Sequence, residues 1–317
     1  MNDTIHYIKR VEIQGFWQKF DIVWDLNPDV NILAGVNGSG KTTVLNVMYN
    51  LLFGKVVFNI FQKIKSIKLI LNNDYDVFYE NYKEADEREV IEKLLNRIKN
   101  HHKQNYSIYS IDGSVNTELL KINKVSNFEL ELKDSESIKK LSDENVKTDL
   151  DWQIYHLQKE YLDYQLNISK RKDQIIENSD NVKSELEKIN YPKTRFLQIL
   201  DDLFAETGKK VDRDKNEISF LLDEQQISAF QLSSGEKQLL IILLTVLVQD
   251  NKPSILFMDE PEISLHIDWQ RKLIKYIREL NPNVQIILAT HSPDIIMEGW
   301  LDKVFEISDL IVNKQAV

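Results

Sequence analysis

Residues Asn31 to Asn50 read NILAGVNGSGKTTVLNVMYN, and this stretch decides the fold. With Val30 its first residues form a short apolar run of the kind that makes a buried strand. Gly35-Val36-Asn37-Gly38-Ser39-Gly40-Lys41-Thr42 then fits the pattern G-x-x-x-x-G-K-[ST], and from Lys41 the apolar residues recur at helical spacing as far as a cap at Gly54. Strand, glycine loop and helix are the context in which this pattern binds phosphate, because glycines let the backbone curl until successive N–H groups and the helix N-terminus face an anion. Lys41 is expected to bring charge to the β and γ phosphates and the Thr42 hydroxyl to ligate Mg²⁺. The expected occupants are therefore the phosphates of a nucleotide with Mg²⁺, held on Asn37, Gly38, Ser39, Gly40, Lys41, Thr42 and Thr43.

Composition sets the limits around this loop. The chain has 317 residues, 42% hydrophobic and 28% charged, with 9 Gly and 6 Pro, which is the profile of a folded protein with room for one α/β core and an insertion. With no cysteine, disulfides, thiolate metal sites and thiol nucleophiles are excluded. The opening residues lack the pattern of a secretory signal, and no apolar run approaches the ~18 residues of a membrane span, so a cytoplasmic protein without membrane contact is expected. The longest apolar run, Leu239 to Val248, reads as a helix buried in the core. A net charge of -10 argues against coating nucleic acid by bulk electrostatics and leaves open a local basic groove.

The chain begins with strand patterns, YIKRVEIQGF and FDIVWDL, before the glycine loop. From about residue 58 to 133 come short Ile, Val, Tyr and Phe-rich segments (SIKLILN, YDVFYE, YSIYSIDG, FELELKD) interrupted by the charged helical stretch EADEREVIEKLLNRIKNHH. From 135 to 190 the sequence turns polar around Ile154, Leu157, Tyr161, Tyr164 and Ile168, the pattern of one or two amphipathic helices too short for a long coiled coil. Regularity then returns: NEISFLL as a strand, 233 to 249 as a helix, SILFMDE as a buried strand, DWQRKLIKYIREL as an amphipathic helix, VQIILATHS as a buried strand and KVFEIS as a final one. Such alternation implies a largely parallel sheet covered on both faces.

Three further segments carry chemistry. SILFMDE ends a buried strand in Asp259 and Glu260, on the edge where α/β sheets bind ligands. Asp259 suits positioning Mg²⁺ and Glu260 polarising an attacking water as general base. In QLSSGEKQLL, Ser233 or Ser234 caps an apolar helix with Glu236 completing a capping box, and the same geometry offers a hydroxyl and N–H groups to an anion. ILATHSPDII ends a strand at His291, which can touch a γ-phosphate as donor or be an ordinary surface histidine.

In this order the four elements resemble the ATP-binding-cassette ATPases. Gly35 to Thr42 resembles the Walker A loop, Leu232-Ser233-Ser234-Gly235-Glu236 the signature, and Ile255 to Glu260 Walker B with its catalytic glutamate. Ser264 to Asp268 falls at the D-loop and His291 at the switch histidine. The signature reads Ser-Ser-Gly where many members have Ser-Gly-Gly, and no glutamine is assigned to the Q-loop, for which Gln104 and Gln158 are candidates. The resemblance covers residues 5 to 55 and 215 to 310. It implies an α/β ATPase head with a mostly parallel sheet flanked by helices, its core made of residues 1–57 and 216–317, with an inserted strand and helix subdomain over 58–215. It also implies Glu260 and His291 as catalytic residues, Thr42 and Asp259 as metal ligands, and a head-to-tail homodimer in which Ser233, Ser234 and Gly235 of one copy complete the nucleotide site of the other.

The VEIQGF opening, the asparagine inside the glycine loop and the LSSGEKQ signature resemble the SMC, RecF and OLD-nuclease group in particular. Without long coiled coils or space after His291 for a nuclease domain, the ATPase is expected to be the activity of this chain; His101-His102 reads as solvated surface. The leading expectation is the sensor ATPase of an antiphage module, similar to the Septu, retron-associated and PARIS ATPases, controlling a separately encoded effector such as a nuclease. The second is a RecF-type ATPase that clamps DNA, with Lys170-Arg171-Lys172 and Lys209-Lys210 as phosphate contacts or as solvated helix faces. A transporter subunit is the third.

Overall fold

The computed structural model describes residues 5–54, 58–80, 108–109, 121–125 and 146–314. Five strands make a parallel sheet: β3 (Val30–Ala34), β7 (Lys121–Val125), β11 (Ser254–Asp259), β12 (Val284–Ala289) and β13 (Val304–Glu306), in the order β13-β3-β12-β11-β7. Their apolar runs are buried on both faces, as parallel strands require. Alternate residues divide between two cores. Ile32, Leu256, Met258 and Ile286 face the helices α3 (Asp149–Asn178), α4 (Val182–Phe204), α5 (Ser234–Leu247) and α6 (Ile267–Leu280). Leu33, Ile255, Phe257 and Ile287 face α1 (Lys41–Leu52) and a second sheet.

That second sheet runs β14 (Ile311–Lys314), β2 (Phe20–Asp25), β1 (Ile8–Phe16), β4 (Ser66–Leu71), β5 (Asp76–Glu80) and β6 (Ile108–Tyr109), with every pair antiparallel except β5 with β6. The register of β1 against β2 shifts between Ile13 and Phe16, where Gly15 adopts φ 60° and a Cβ would lie 2.8 Å from Lys65 Cβ, so glycine alone permits this close bulge. A small antiparallel meander, β8 (Lys209–Val211), β9 (Ser219–Leu222) and β10 (Gln225–Ser228), leads into α5.

Most expected elements are present. The Leu239 to Val248 run lies in and just beyond α5, whose residues from Glu236 onward are all buried, and Gly54 follows α1 with φ 66°. The amphipathic region resolves into two helices joined by three residues, with Leu150, Ile154, Leu157, Tyr161, Tyr164 and Ile168 as the buried seam of α3. Four strands escaped the pattern: KINKV, which is β7 beside β11; KKV and QQIS, which are β8 and β10 on either side of β9; and IVNK, which pairs with β2 beyond the expected last strand. The span 58–215, expected as an inserted subdomain, contributes β4 and β5 to the sheet of β1, β7 to the parallel sheet, and α3 and α4 to the same core as α5. FELELKD, EADEREVIEKLLNRIKNHH, His101-His102 and Gln104 lie outside the described residues.

Candidate nucleotide site

The loop from Gly35 to Gly40 links the end of β3 to the start of α1. Gly35, Gly38 and Gly40 have φ of 142°, 77° and 101°, conformations that side chains with a Cβ rarely adopt. Gly40 is also confined: a Cβ there would lie 2.7 Å from the Phe16 ring and 3.1 Å from Trp17. No side chain caps α1, so its first N–H groups are left for an anion. The Ser39 hydroxyl is buried without a partner, a second polar group in the loop awaiting one.

Lys41 is only 5% exposed, and its ammonium donates to Gly35 O at 2.9 Å, Val36 O at 3.3 Å and His291 Nε2 at 2.6 Å. All three donors are thereby placed, and phosphate oxygens can take over one or more of them. Burial pushes the Lys41 ammonium below its ordinary value, against the opposing field of Glu260, Asp259, Glu262 and Glu306. Four carboxylates around one lysine are the electrostatics of a site that also takes a divalent cation.

Asp259 ends β11 and accepts the Thr42 hydroxyl at 3.0 Å. Burial raises its carboxyl above 3.8, with the Thr42 bond opposing and Glu260 adding to the rise. One hydroxyl and one carboxylate fit Mg²⁺, which keeps water and substrate oxygens in its shell, better than an all-protein cage; among the described residues no group of three or more His, Asp or Glu could hold a metal by itself. Glu260 follows with φ 49°, a left-handed conformation unusual for a residue with a side chain, while its N–H still bonds Ala289 O at 2.8 Å. Its carboxylate lies 3.5 Å from His291 Nε2.

Lys41, Thr42, Glu260 and His291 share a cleft of about 810 Å³, bounded also by Trp17, Asn37, Gly38 and Thr43 among others, with Asp259 tied to it through Thr42. Of the lining residues, Trp17, Glu262 and Ile263 were not foreseen. Trp17 occupies a tight hairpin turn at φ 51° and stacks on Phe16 at 4.8 Å; an aromatic at a β1–β2 turn was the available signal. Glu262 accepts from the Thr290 hydroxyl at 2.7 Å and the His291 N–H at 2.9 Å, tying the loop after β11 to the end of β12. Nothing in the spacing of DEPE marks it, because its partners lie on another strand.

The signature residues stand apart: Ser233, Ser234 and Gly235 are not among those lining the cleft. Ser233 caps α5, accepting from Glu236 N in the expected capping box. Gly235 packs so closely on Ser264 that a Cβ would lie 2.1 Å from the Ser264 carbonyl oxygen. Gln158 is removed as a Q-loop candidate, since its amide is buried and bonded at both ends to the Ile218 backbone. Lys209 is likewise no exposed phosphate contact; it is the 2.8 Å partner of the buried Glu236.

A family model described as "AAA domain, putative AbiEii toxin, Type IV TA system" matches residues 30–298. The Septu protein PtuA of Bacillus thuringiensis is 23% identical over 313 residues, 93% of this chain and 74% of that protein. The Retron Vc95 probable ATPase of Vibrio cholerae is 28% identical over 105 residues, which is 30% of this chain and 20% of that protein, so the match spans about a fifth of that relative. Among solved structures, an SMC head bound to the C-winged helix domain of ScpA aligns over 92% of this chain and 91% of that one, at 16% identity and a TM-score of 0.47. The recombination mediator protein RecF aligns over 99% of each chain at 13% identity and a TM-score of 0.45. The family match takes in the glycine loop, the signature, Asp259, Glu260 and His291, and the chain belongs to this AAA-domain ATPase family.

Proposed function

We propose that this chain is an ATP-driven switch that closes as a head-to-tail pair around two nucleotides and, in doing so, controls a separately encoded effector in antiphage defence. The observation that carries the reading is the division of the site: Lys41, Glu260 and His291 share one cleft, with Asp259 tied to it through Thr42, whereas the signature serines lie outside it. A second copy can supply what the cleft lacks.

In this reading the loop N–H groups, Ser39 and Lys41 bind the phosphates, and Trp17 offers its ring to the base. Thr42 and Asp259 would hold Mg²⁺, which would supply charge to the phosphates. Glu260 accepts a proton from the attacking water, and His291, released from Lys41 and carrying its proton on the ring nitrogen that faces the nucleotide, donates to the γ-phosphate. Binding energy that differs between open and closed pairs is what turns nucleotide occupancy into a conformational signal. The likeness to a Septu protein along most of the chain and to retron ATPases over part of it supports the defence role.

The test is purification of tagged Glu260→Gln protein with ATP from its native host, with protein and nucleic acid in the eluate both identified. A stoichiometric second protein with nuclease or other toxic chemistry is the expected result. An eluate holding only the homodimer and salt-sensitive duplex DNA overturns effector control in favour of a DNA clamp.

A further inference from the structure

The signature serine is held by a buried carboxylate whose two oxygens do different jobs. Glu236 is 2% exposed. Its Oε2 accepts from the Ser233 N–H and from the Ser233 hydroxyl, both at 2.9 Å. Its Oε1 accepts from Lys209 Nζ at 2.8 Å and from the Thr207 hydroxyl at 3.0 Å. Burial pushes this carboxyl up, but the bonds from Lys209, Ser233 and Thr207 outweigh it and hold the group below its ordinary 4.5, so it is ionised. The one proton between Glu236 and Ser233 Oγ therefore belongs to the serine.

An ionised phosphate oxygen only accepts hydrogen bonds. Ser233 can donate to one only by turning its proton away from Glu236, so carboxylate and phosphate compete for a single proton. Glu236 grips that proton more weakly the more fully its other oxygen is engaged by a cation and a hydroxyl.

We propose that Lys209 and Thr207 are positioning residues for the signature: by binding Glu236 they free the Ser233 proton to be donated to the γ-phosphate of a nucleotide held by a second copy of the chain. This rests on the shared-site reading above. Thr207 and Lys209 flank Gly208, which adopts φ 71° between the end of α4 and β8.

The test is complementation between full-length variants. Lys209→Met keeps its own glycine loop, while Lys41→Ala keeps its own signature, so their heterodimer contains one whole composite site. Lys209→Met alone is expected to lower ATP turnover about tenfold or more while binding a fluorescent ATP analogue as tightly as wild type, and Lys209→Arg to restore most of the rate. Equimolar mixing of Lys209→Met with Lys41→Ala should recover up to about a quarter of wild-type turnover, since half the random pairs are heterodimers with one competent site of two. Ser233→Arg mixed with Lys41→Ala serves as the reference for the shared site. If that reference recovers but Lys209→Met either works normally alone or gains nothing on mixing, the assignment is overturned. If the reference itself fails, the shared site falls and the proposal with it. Should Lys209→Met not fold, Thr207→Val takes its place, with a smaller loss that is again expected to recover on mixing; an unchanged rate or no recovery overturns the proposal.

Discussion

Replacing Gly235 by alanine tests whether the signature is locked to the loop that follows Asp259. The added Cβ would lie 2.1 Å from the Ser264 carbonyl oxygen and 3.3 Å from its carbon. Close carbon to carbonyl-oxygen contacts sit at about 3.3–3.6 Å, so the two backbones must separate by more than about 1 Å. Neither side can give easily. The oxygen is main chain and has no rotamer to escape into, and α5 is buried from Glu236 to Leu247, so moving it opens the core. Overpacking of this kind costs about 1–3 kcal/mol, and a clash against backbone belongs at the upper end. At roughly 2–4 °C per kcal/mol for chains near this size, the melting temperature should fall by about 6 °C or more. Gly38→Ala is the internal comparison. It has the same chemistry and a left-handed φ of 77°, but nothing within 4 Å, so only the conformational cost of about 1–2 kcal/mol applies. Differential scanning calorimetry of the two variants decides the matter. A Gly235→Ala protein as stable as Gly38→Ala would refute the contact and the reasoning built on it.

The remaining predictions address the cleft and its supports. Glu260→Gln should lower ATP turnover by about 10²–10⁴-fold in a steady-state phosphate-release assay while leaving nucleotide binding intact, because only the proton acceptor is lost. Trp17→Ala should weaken binding of a fluorescent ATP analogue about tenfold or more if the ring stacks on the base; unchanged affinity removes Trp17 from the site. Lys237→Met strands the charge of Asp151, its partner at 2.9 Å with both side chains nearly buried, and should destabilise by about 3–5 kcal/mol in urea unfolding; adding Asp151→Leu should recover part of the loss, the remainder being the capping bonds that Asp151 accepts from Lys147 and Thr148. Asp151 also fixes a pH dependence. Burial pushes its carboxyl up, but Lys237 and the N–H groups of Lys147 and Thr148 hold it below 3.8, so its contribution is present above that ordinary value and lost as pH falls through the folded one. Asp151→Leu in the Lys237→Met background should therefore show a shallower loss of stability below about pH 4 than wild type in urea titrations.

Much of the cleft was legible in the linear chain because its chemistry is local. A phosphate loop needs its glycines, lysine and threonine at fixed offsets between a strand and a helix, so Gly35 to Thr42 announces itself, and the Ser233 to Glu236 capping box is closed within one turn. Asp259 and Glu260 were readable for the same reason, each standing at the end of an apolar run. Trp17 and Glu262 were not, since their roles come from neighbours that the fold brings in: Phe16 and Gly40 for the first, Thr290 and His291 for the second. The strands β7, β8, β10 and β14 were missed because each is an edge of its sheet, where a strand buries little and carries a weak alternation.

An α/β chain with a phosphate loop, two acids at a strand end and a capped signature helix could be read from the linear order of residues, because each of those features is set by spacing of a few residues. Three outcomes were set in three dimensions instead: Lys209 pairs with Glu236, the described strands β4 to β7 of the 58–215 span join the two core sheets, and the signature residues lie outside the lining of the cleft. Those outcomes depend on which buried surface each side chain meets, and burial of a charge or an apolar face is settled by partners far along the chain.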